Sequence, residues 1–250
     1  MPISVISQGL GIGGGTSATS SGAAGGGGGG RAPFIPNAKS VLFDGTNNYA
    51  TMDSEIVFGG AYTVSFWLKP SAQPWGTLLY GSGSDYVDLY STTSGGTSYG
   101  DKINVRNMGT ASSATGSVPV GVWRNVLVIR NSSNQVRIYV QGVHSGGTGT
   151  FSGDSHFSQI GAYGASSPFT GYIDEVAFWD SDQYSNRAAI YNSGVAGDLW
   201  ALSPPLHWYR MGDINGGSGT TPDTIEDIGS AGDNPLTLIN GPTYATEVPS

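Results

Sequence analysis

The stretch Val122–Val143, VWRNVLVIRNSSNQVRIYVQGV, decides the fold class. Arg124–Arg130 and Gln135–Val140 are rich in Val and Ile, the residues that fit a pleated sheet. Asn131–Asn134, NSSN, joins them with turn formers, so the two runs read as a β-hairpin. Gln141-Gly142 closes a second tight turn directly afterwards.

Outward from this hairpin the same texture continues. Strand candidates rich in Val, Ile, Tyr, Phe and Trp lie at Ser40–Phe43, Tyr62–Leu68 (YTVSFWL), Thr77–Tyr80, Tyr86–Tyr90, Lys102–Arg106, Gln159–Ala162 and Gly171–Trp179, with turn residues between them. Leu206–Arg210 and Leu236–Ile239 return to the pattern near the C-terminus. Strands of this number and spacing predict an all-β sandwich or barrel. One short helix is expected over Ser185–Asn192, SNRAAIYN, with Ser185 as its cap and Gly194 as its left-handed stop. No repeat of fixed period is present.

The N-terminal region is different in kind. Gly9–Gly30 is almost wholly Gly, Ser, Ala and Thr, with glycine unbroken from Gly25 to Gly30. Such a segment has little side chain to bury against its own ordering entropy. The chain therefore divides into a glycine-rich extended tail, residues 1–31, and a head, residues 32–250. The tail reads either as a flexible linker or as an assembly segment ordered against partner chains. In the second reading Ile3, Val5 and Ile6 add a strand to a neighbour's sheet edge.

Composition excludes several classes. Ten Lys and Arg against eighteen Asp and Glu give a net charge of -8, and the cations are scattered, which argues against nucleic acid and against an anionic membrane surface. No run of about 18 apolar residues offers a membrane span. The start MPISVISQGLGIGGG does not read as a secretory signal. With no cysteine, disulfides, thiolate metal sites and a Cys nucleophile are excluded.

Catalytic patterns are sparse. A glycosidase needs two carboxylates facing one sugar bond. Asp53 and Glu55 have suitable spacing but are expected in a loop after Met52. Asp174 and Glu175 are adjacent, so a strand would send them to opposite faces. Asp85 and Asp88 have odd spacing, and Glu226 and Asp227 are again neighbours. His144, His156 and His207 show no metal-binding spacing. Gly9, Gly11 and Gly14 match a dinucleotide fingerprint only formally, because no strand precedes them and no helix follows. No catalytic residue is assigned. Sugar contacts would fall to aromatic platforms and side-chain amides in loops. The candidates are Trp75, Tyr80, Tyr86, Tyr90, Tyr99 and Tyr163, with Trp75, Tyr86 and Tyr99 put forward as ligand-binding. Trp67, Trp123 and Trp179 lie inside strand runs and are read as core.

Four blocks resemble one family in order. VLFDGTNNYATM (Val41–Met52), YTVSFWLKP (Tyr62–Pro70), the hairpin Val122–Val143 and FTGYIDEVAFWD (Phe169–Asp180) with the helix after it are similar to laminin-G-like, concanavalin A-like lectin/glucanase domains. The resemblance implies a two-sheet antiparallel jelly-roll sandwich. It also implies a structural Ca2+ held by a carboxylate and loop oxygens, with Asp44 and Asp174 at the matching positions and Asn47 or Asn48 adjacent. The alternative is that Asp44 caps its Asp-Gly turn and Asp174 binds backbone amides.

More locally, LHWYRMGD (Leu206–Asp213) and the N-terminal MPISVISQGLGIGGG resemble segments of marine bacteriophage structural proteins. This implies a non-enzymatic virion component, a head fibre, capsid decoration or tail appendage on the virion surface. Its expected partners are capsid or tail proteins through the tail, surface glycans through the head, and further copies of itself in a homo-oligomer. The alternatives are a free carbohydrate-binding lectin module, secreted or on a cell surface, and a polysaccharide-degrading enzyme. The fold family hosts all of these, so fold does not choose among them.

Overall fold

The computed structural model describes residues 34–71, 75–94, 97–213 and 223–250. The glycine-rich tail, with Ile3, Val5 and Ile6, lies outside the described residues. In chain order the elements are β1 (Ser40–Asp44), β2 (Tyr49–Phe58), β3 (Tyr62–Pro70), β4 (Gly76–Gly81), β5 (Asp85–Ser94), β6 (Thr97–Arg106), β7 (Ala111–Ser112), β8 (Arg124–Arg130), β9 (Gln135–Val140), β10 (Val143–Thr150), β11 (Ser155–Ile160) and β12 (Thr170–Trp179), then α1 (Arg187–Tyr191), α2 (Leu199–Leu202), β13 (His207–Tyr209), β14 (Thr224–Ile225), β15 (Leu236–Ile239) and β16 (Thr243–Ala245). Two antiparallel eight-stranded sheets result among the described residues. Sheet A runs β10-β9-β8-β3-β12-β1-β16, with β13 also paired to β12, and sheet B runs β14-β15-β2-β11-β4-β5-β6-β7. This is the jelly-roll sandwich.

The central hairpin pairs Val128 with Ile138, and both Gln141 and Gly142 adopt positive φ, the conformation of a tight primed turn. Val126 and Val128 point between the sheets, where Phe43, Phe66, Phe157 and Phe178 fill the core. Leu127 and Ile129 point the other way into a second apolar cluster with Tyr139, Ala177, Trp179, Ile190, Leu199 and Trp208. That cluster explains the continuous apolar run of β8: sheet A is covered on both faces, by sheet B inside and by the helices and neighbouring segments outside.

Several expectations are corrected. The helix is shorter than its sequence pattern. A 3-10 turn occupies Tyr184–Asn186, α1 follows without a side-chain cap, and the left-handed residue that ends it is Asn192 rather than Gly194. Asp53 and Glu55 fall within β2, where the ladder to β11 is interrupted between Thr51 and Ile56. The strand expected at Gln159–Ala162 is β11, which starts four residues earlier. Trp67 and Trp179 are core as expected, whereas Trp123 is only half-buried.

The glycine-rich VHSGGTGT is among none of the strand candidates of the sequence and forms the edge strand β10. Here the edges of the two sheets pass close together. A Cβ on Gly149 would come 1.3 Å from the Gly109 carbonyl oxygen, so only a residue with no side chain fits that crossing.

Candidate functional site

Among the described residues no apolar layer like that over sheet A covers the outer face of sheet B. On β5, Val87 and Leu89 face the core, so Tyr86, Asp88 and Tyr90 face outward; on β6, Ile103 and Val105 face the core and Lys102, Asn104 and Arg106 face outward. Register aligns these residues across the sheet. Thr51 pairs with Gln159, Gln159 with Tyr80, Tyr80 with Tyr86, and Tyr86 with Arg106. A single transverse row thus crosses five strands.

An aromatic cluster occupies the middle of the row. Tyr80 and Tyr86 have ring centroids 5.1 Å apart, and Tyr163, from the loop before β12, lies 4.4 Å from Tyr80 and 5.7 Å from Tyr86. Reciprocal backbone bonds between Tyr163 and Ser166 close that loop, and the Gly164 amide donates to Gln159 Oε1 at 2.7 Å. Burial and the neighbouring phenols push the Tyr80 hydroxyl above its usual range, so it stays a neutral donor and acceptor at physiological pH. Trp75 is 44% exposed and Tyr163 43%.

Arg106 closes the row. Its guanidinium lies 4.2 Å from the Tyr86 ring centroid and 5.5 Å from that of Trp75, and its Nε donates to Asp88 Oδ2 at 2.6 Å. Thr77 donates to the other Asp88 oxygen at 3.0 Å. Burial raises the Asp88 pKa, opposed by Arg106, Thr77 and Trp75. Rigid aromatic surface flanked by amide, hydroxyl and guanidinium groups suits the C–H faces and hydroxyl edges of a sugar ring.

Trp75 and Tyr86 of the sequence-based set therefore meet, joined through Arg106. Tyr99 is on β6 opposite Thr92, and its side chain lies outside what the structure describes. The sequence reading missed Arg106, Asp88 and Gln159 as site residues. The signal was present in the alternation Tyr86-x-Asp88-x-Tyr90 against Lys102-x-Asn104-x-Arg106, but only the hairpin register turns it into a face.

Asp44 and Asp174 are not brought together. Asp44 pairs with Thr170, four residues along β12 from Asp174, which at strand rise is about 13 Å. Asp44 is exposed and accepts from the Thr46 amide at 2.7 Å, while Asn48 Oδ1 accepts from the Asp44 amide. Asp174 is buried, accepting from Asn37 Nδ2 and from the Glu175 amide, both at 2.8 Å. Among the described residues no group of three His, Asp or Glu is disposed to hold a metal. These residues do not fit one shared Ca2+; they serve a turn and a buried polar cluster.

The adjacent acids Asp174 and Glu175 do not alternate as expected. Glu175 has φ 48°, and one extra residue on β12 shifts the register against β3 between Asp174 and Ala177. This bulge leaves both carboxylates buried. Glu175 accepts from Trp208 Nε1 at 2.6 Å and Arg210 Nε at 3.0 Å; Arg210 also reaches the Ile35 carbonyl and Asp213. Burial drives the Glu175 carboxyl up to about 7 against the pull of Arg210, and burial likewise raises Asp174 and Asp213. The cavity beside Glu175 is about 10 Å³, room for about one water and no substrate. In each of the other acid pairs at least one member is engaged. Glu55 accepts from the amide and hydroxyl of Ser82, Asp85 faces His156, and Asp227 binds His207 and the amides of Trp208 and Gly229. An open groove of about 410 Å³ beside Arg124, Gln141 and His144 has no Tyr, Trp or Phe in its lining. No helix among the described residues is long and apolar enough to cross a membrane.

Residues 44–183 match the Concanavalin A-like lectin/glucanases superfamily, and the chain belongs to it. No curated protein matches the chain. Among solved structures, a Bacteroides ovatus protein named for carbohydrate binding superposes with a TM-score of 0.64 at 19% identity, over 86% of this chain and 62% of its own length. The chain thus spans less than two thirds of that relative. The heptameric SAP-like pentraxin of Limulus polyphemus superposes with a TM-score of 0.50 at 14% identity, over 64% of this chain and 84% of its own. At these identities the likeness concerns the fold: a lectin-like sandwich.

Proposed function

We propose that this chain is a non-enzymatic carbohydrate-binding module whose ligand lies across the outer face of sheet B, against Tyr80, Tyr86, Tyr163 and Trp75. The observation that carries the reading is the exposed aromatic cluster built on sheet strands beside Gln159 and Arg106, in a sandwich whose other outer face is covered. Membership of a lectin/glucanase superfamily and the carbohydrate-binding designation of the Bacteroides protein are consistent with it. In each acid pair at least one carboxylate is engaged in internal bonds, Glu55, Asp85, Glu175 and Asp227 among them, which weighs against a pair of acids free to act on one sugar bond. A glycan array probed with the full chain tests the reading. Binding to one or more glycans that Trp75→Ala weakens at least about tenfold is expected, since an aromatic platform supplies a large share of sugar contact. An array blank for the wild type counts against it.

The setting we propose for this module is a virion surface, with the tail docking through Ile3, Val5 and Ile6 and the head projecting. This rests on the sequence of the two ends alone. Light scattering checks it: the full chain is expected as a multimer, and the triple variant Ile3→Asp, Val5→Asp, Ile6→Asp as a monomer. A monomeric wild type removes the self-assembly part of the proposal.

A further inference from the structure

The row on sheet B is chemically asymmetric, and the asymmetry bears on which glycan it takes. At one end stand Thr51 and Gln159, uncharged; at the other stands Arg106. From Gln159 to Arg106 the row crosses three inter-strand gaps, about 14 Å at sheet spacing. That is longer than one sugar ring, so the row suits a chain rather than a monosaccharide.

Arg106 is held as a preformed fork. Its Nε is bound to Asp88, its Cζ lies over the Tyr86 ring, and Trp75 flanks it. Neither Nη atom has a hydrogen-bond partner among the described residues, and the side chain keeps 37% exposure whereas that of Asp88 has none. Asp88 takes up the Nε side of the guanidinium, and among the described residues the edge formed by the two Nη atoms is not engaged. Lys102 lies four residues away on the same face of β6, with its ammonium 5.5 Å from the Tyr90 ring centroid. Two of the ten cations of a chain with net charge -8 thus share one strand face. On the neighbouring strand the same face carries one carboxylate, Asp88, opposite Asn104, so two cations stand against one anion and the local balance favours an anionic group at this end.

We infer that the glycan bound by this face carries an oxyanion substituent, a uronate carboxylate or a sulfate ester, that docks on the free edge of the Arg106 guanidinium while the aromatic cluster holds the neighbouring ring. This rests on the carbohydrate-binding reading. The guanidinium, placed over Tyr86 and already bonded at Nε, loses less freedom on receiving a two-oxygen anion than an untethered arginine would. Asp88 acts here as a positioning residue, since it aims the guanidinium without touching the ligand.

The test is calorimetric titration of the full chain with two matched pairs: a polyuronate and its carboxyl-reduced form, and a sulfated galactan and its desulfated form. In at least one pair the anionic member is expected to bind about tenfold or more tightly, as a charge-assisted bidentate contact warrants, and to weaken as salt rises. The pair that shows the preference identifies the anion. Arg106→Gln is expected to bring that ratio to near one. Because this variant leaves Asp88 buried without its cation, the double variant Asp88→Asn, Arg106→Gln is measured beside it, and thermal melting confirms that each is folded. Neutral members binding as tightly as their anionic partners, or a preference that survives in the folded double variant, overturns the anionic reading and leaves sugar binding intact. No binding to any of the four overturns both.

Discussion

The two outer faces of the sandwich have opposite fates. That of sheet A is closed by α1, α2 and the segments around Phe34 and Ile228, and it buries a polar cluster in which Arg210 faces Glu175 and Asp213. That of sheet B is open and carries Tyr80, Tyr86, Tyr163, Trp75 and Arg106. The difference is written in strand texture. Asn125–Ile129, NVLVI, is apolar at both parities because both faces of β8 are covered, whereas Asp85–Tyr90, DYVDLY, alternates because one face is solvated. Polar groups on the first face are buried in internal pairs, whereas on the second Arg106 and Tyr163 keep part of their surface exposed.

The sharpest way to break this contrast is Arg210→Met. It removes the cation that bonds both Glu175 and Asp213, and breaking a buried pair from one side costs about 3 kcal/mol or more. Urea unfolding should show it, and a loss under about 1 kcal/mol would mean that the closed face does not depend on its ion pairs. Next in size is a pH effect. The Glu175 carboxyl is raised from 4.5 to about 7, so the folded state holds its proton more tightly than the unfolded chain. The associated stability is fully present below the unfolded value and is lost as pH rises through about 7. Melting temperature should fall between about pH 5 and pH 8, by an amount corresponding to roughly 3 kcal/mol for this group, and Glu175→Gln should flatten the slope. Asp174 and Asp213, also raised by burial, add in the same direction.

Smaller effects sharpen the comparison elsewhere. Gly149→Ala places a methyl against the Gly109 carbonyl where β10 passes β7; overpacking of this kind costs about 1–3 kcal/mol, read from the same urea curves. Smallest is Tyr163→Ala on the open face, expected within about 1 kcal/mol of wild type because the ring is 43% exposed. Its effect belongs in binding. A stability loss equal to that of Arg210→Met would erase the distinction between the faces.

Much of this was legible in the chain. The hairpin Val122–Val143, the core strand YTVSFWL and the exposure of Trp75 follow from residue types alone. What escaped depends on contacts distant in sequence. VHSGGTGT gives no strand signal because the reason for its glycines is the backbone of a segment distant in sequence, around Gly109. Asp174 and Glu175 look like opposite-facing neighbours because the bulge that places both on the covered outer side of sheet A is set by pairing with β3. The site was half legible: aromatic candidates were visible, but Arg106 joins them only through register with Tyr86, and Tyr80 meets Tyr163 through a loop some eighty residues later.

The central claim is that the open face of sheet B binds carbohydrate. Affinity electrophoresis through gels cast with neutral, uronate and sulfated polysaccharides tests it most directly, comparing the full chain with the double variant Tyr80→Ala, Tyr163→Ala. The account predicts that at least one polysaccharide retards the wild type and that the variant, still folded, runs through that gel as through an empty one. Equal retardation of both proteins, or none of the wild type in any gel, would contradict it.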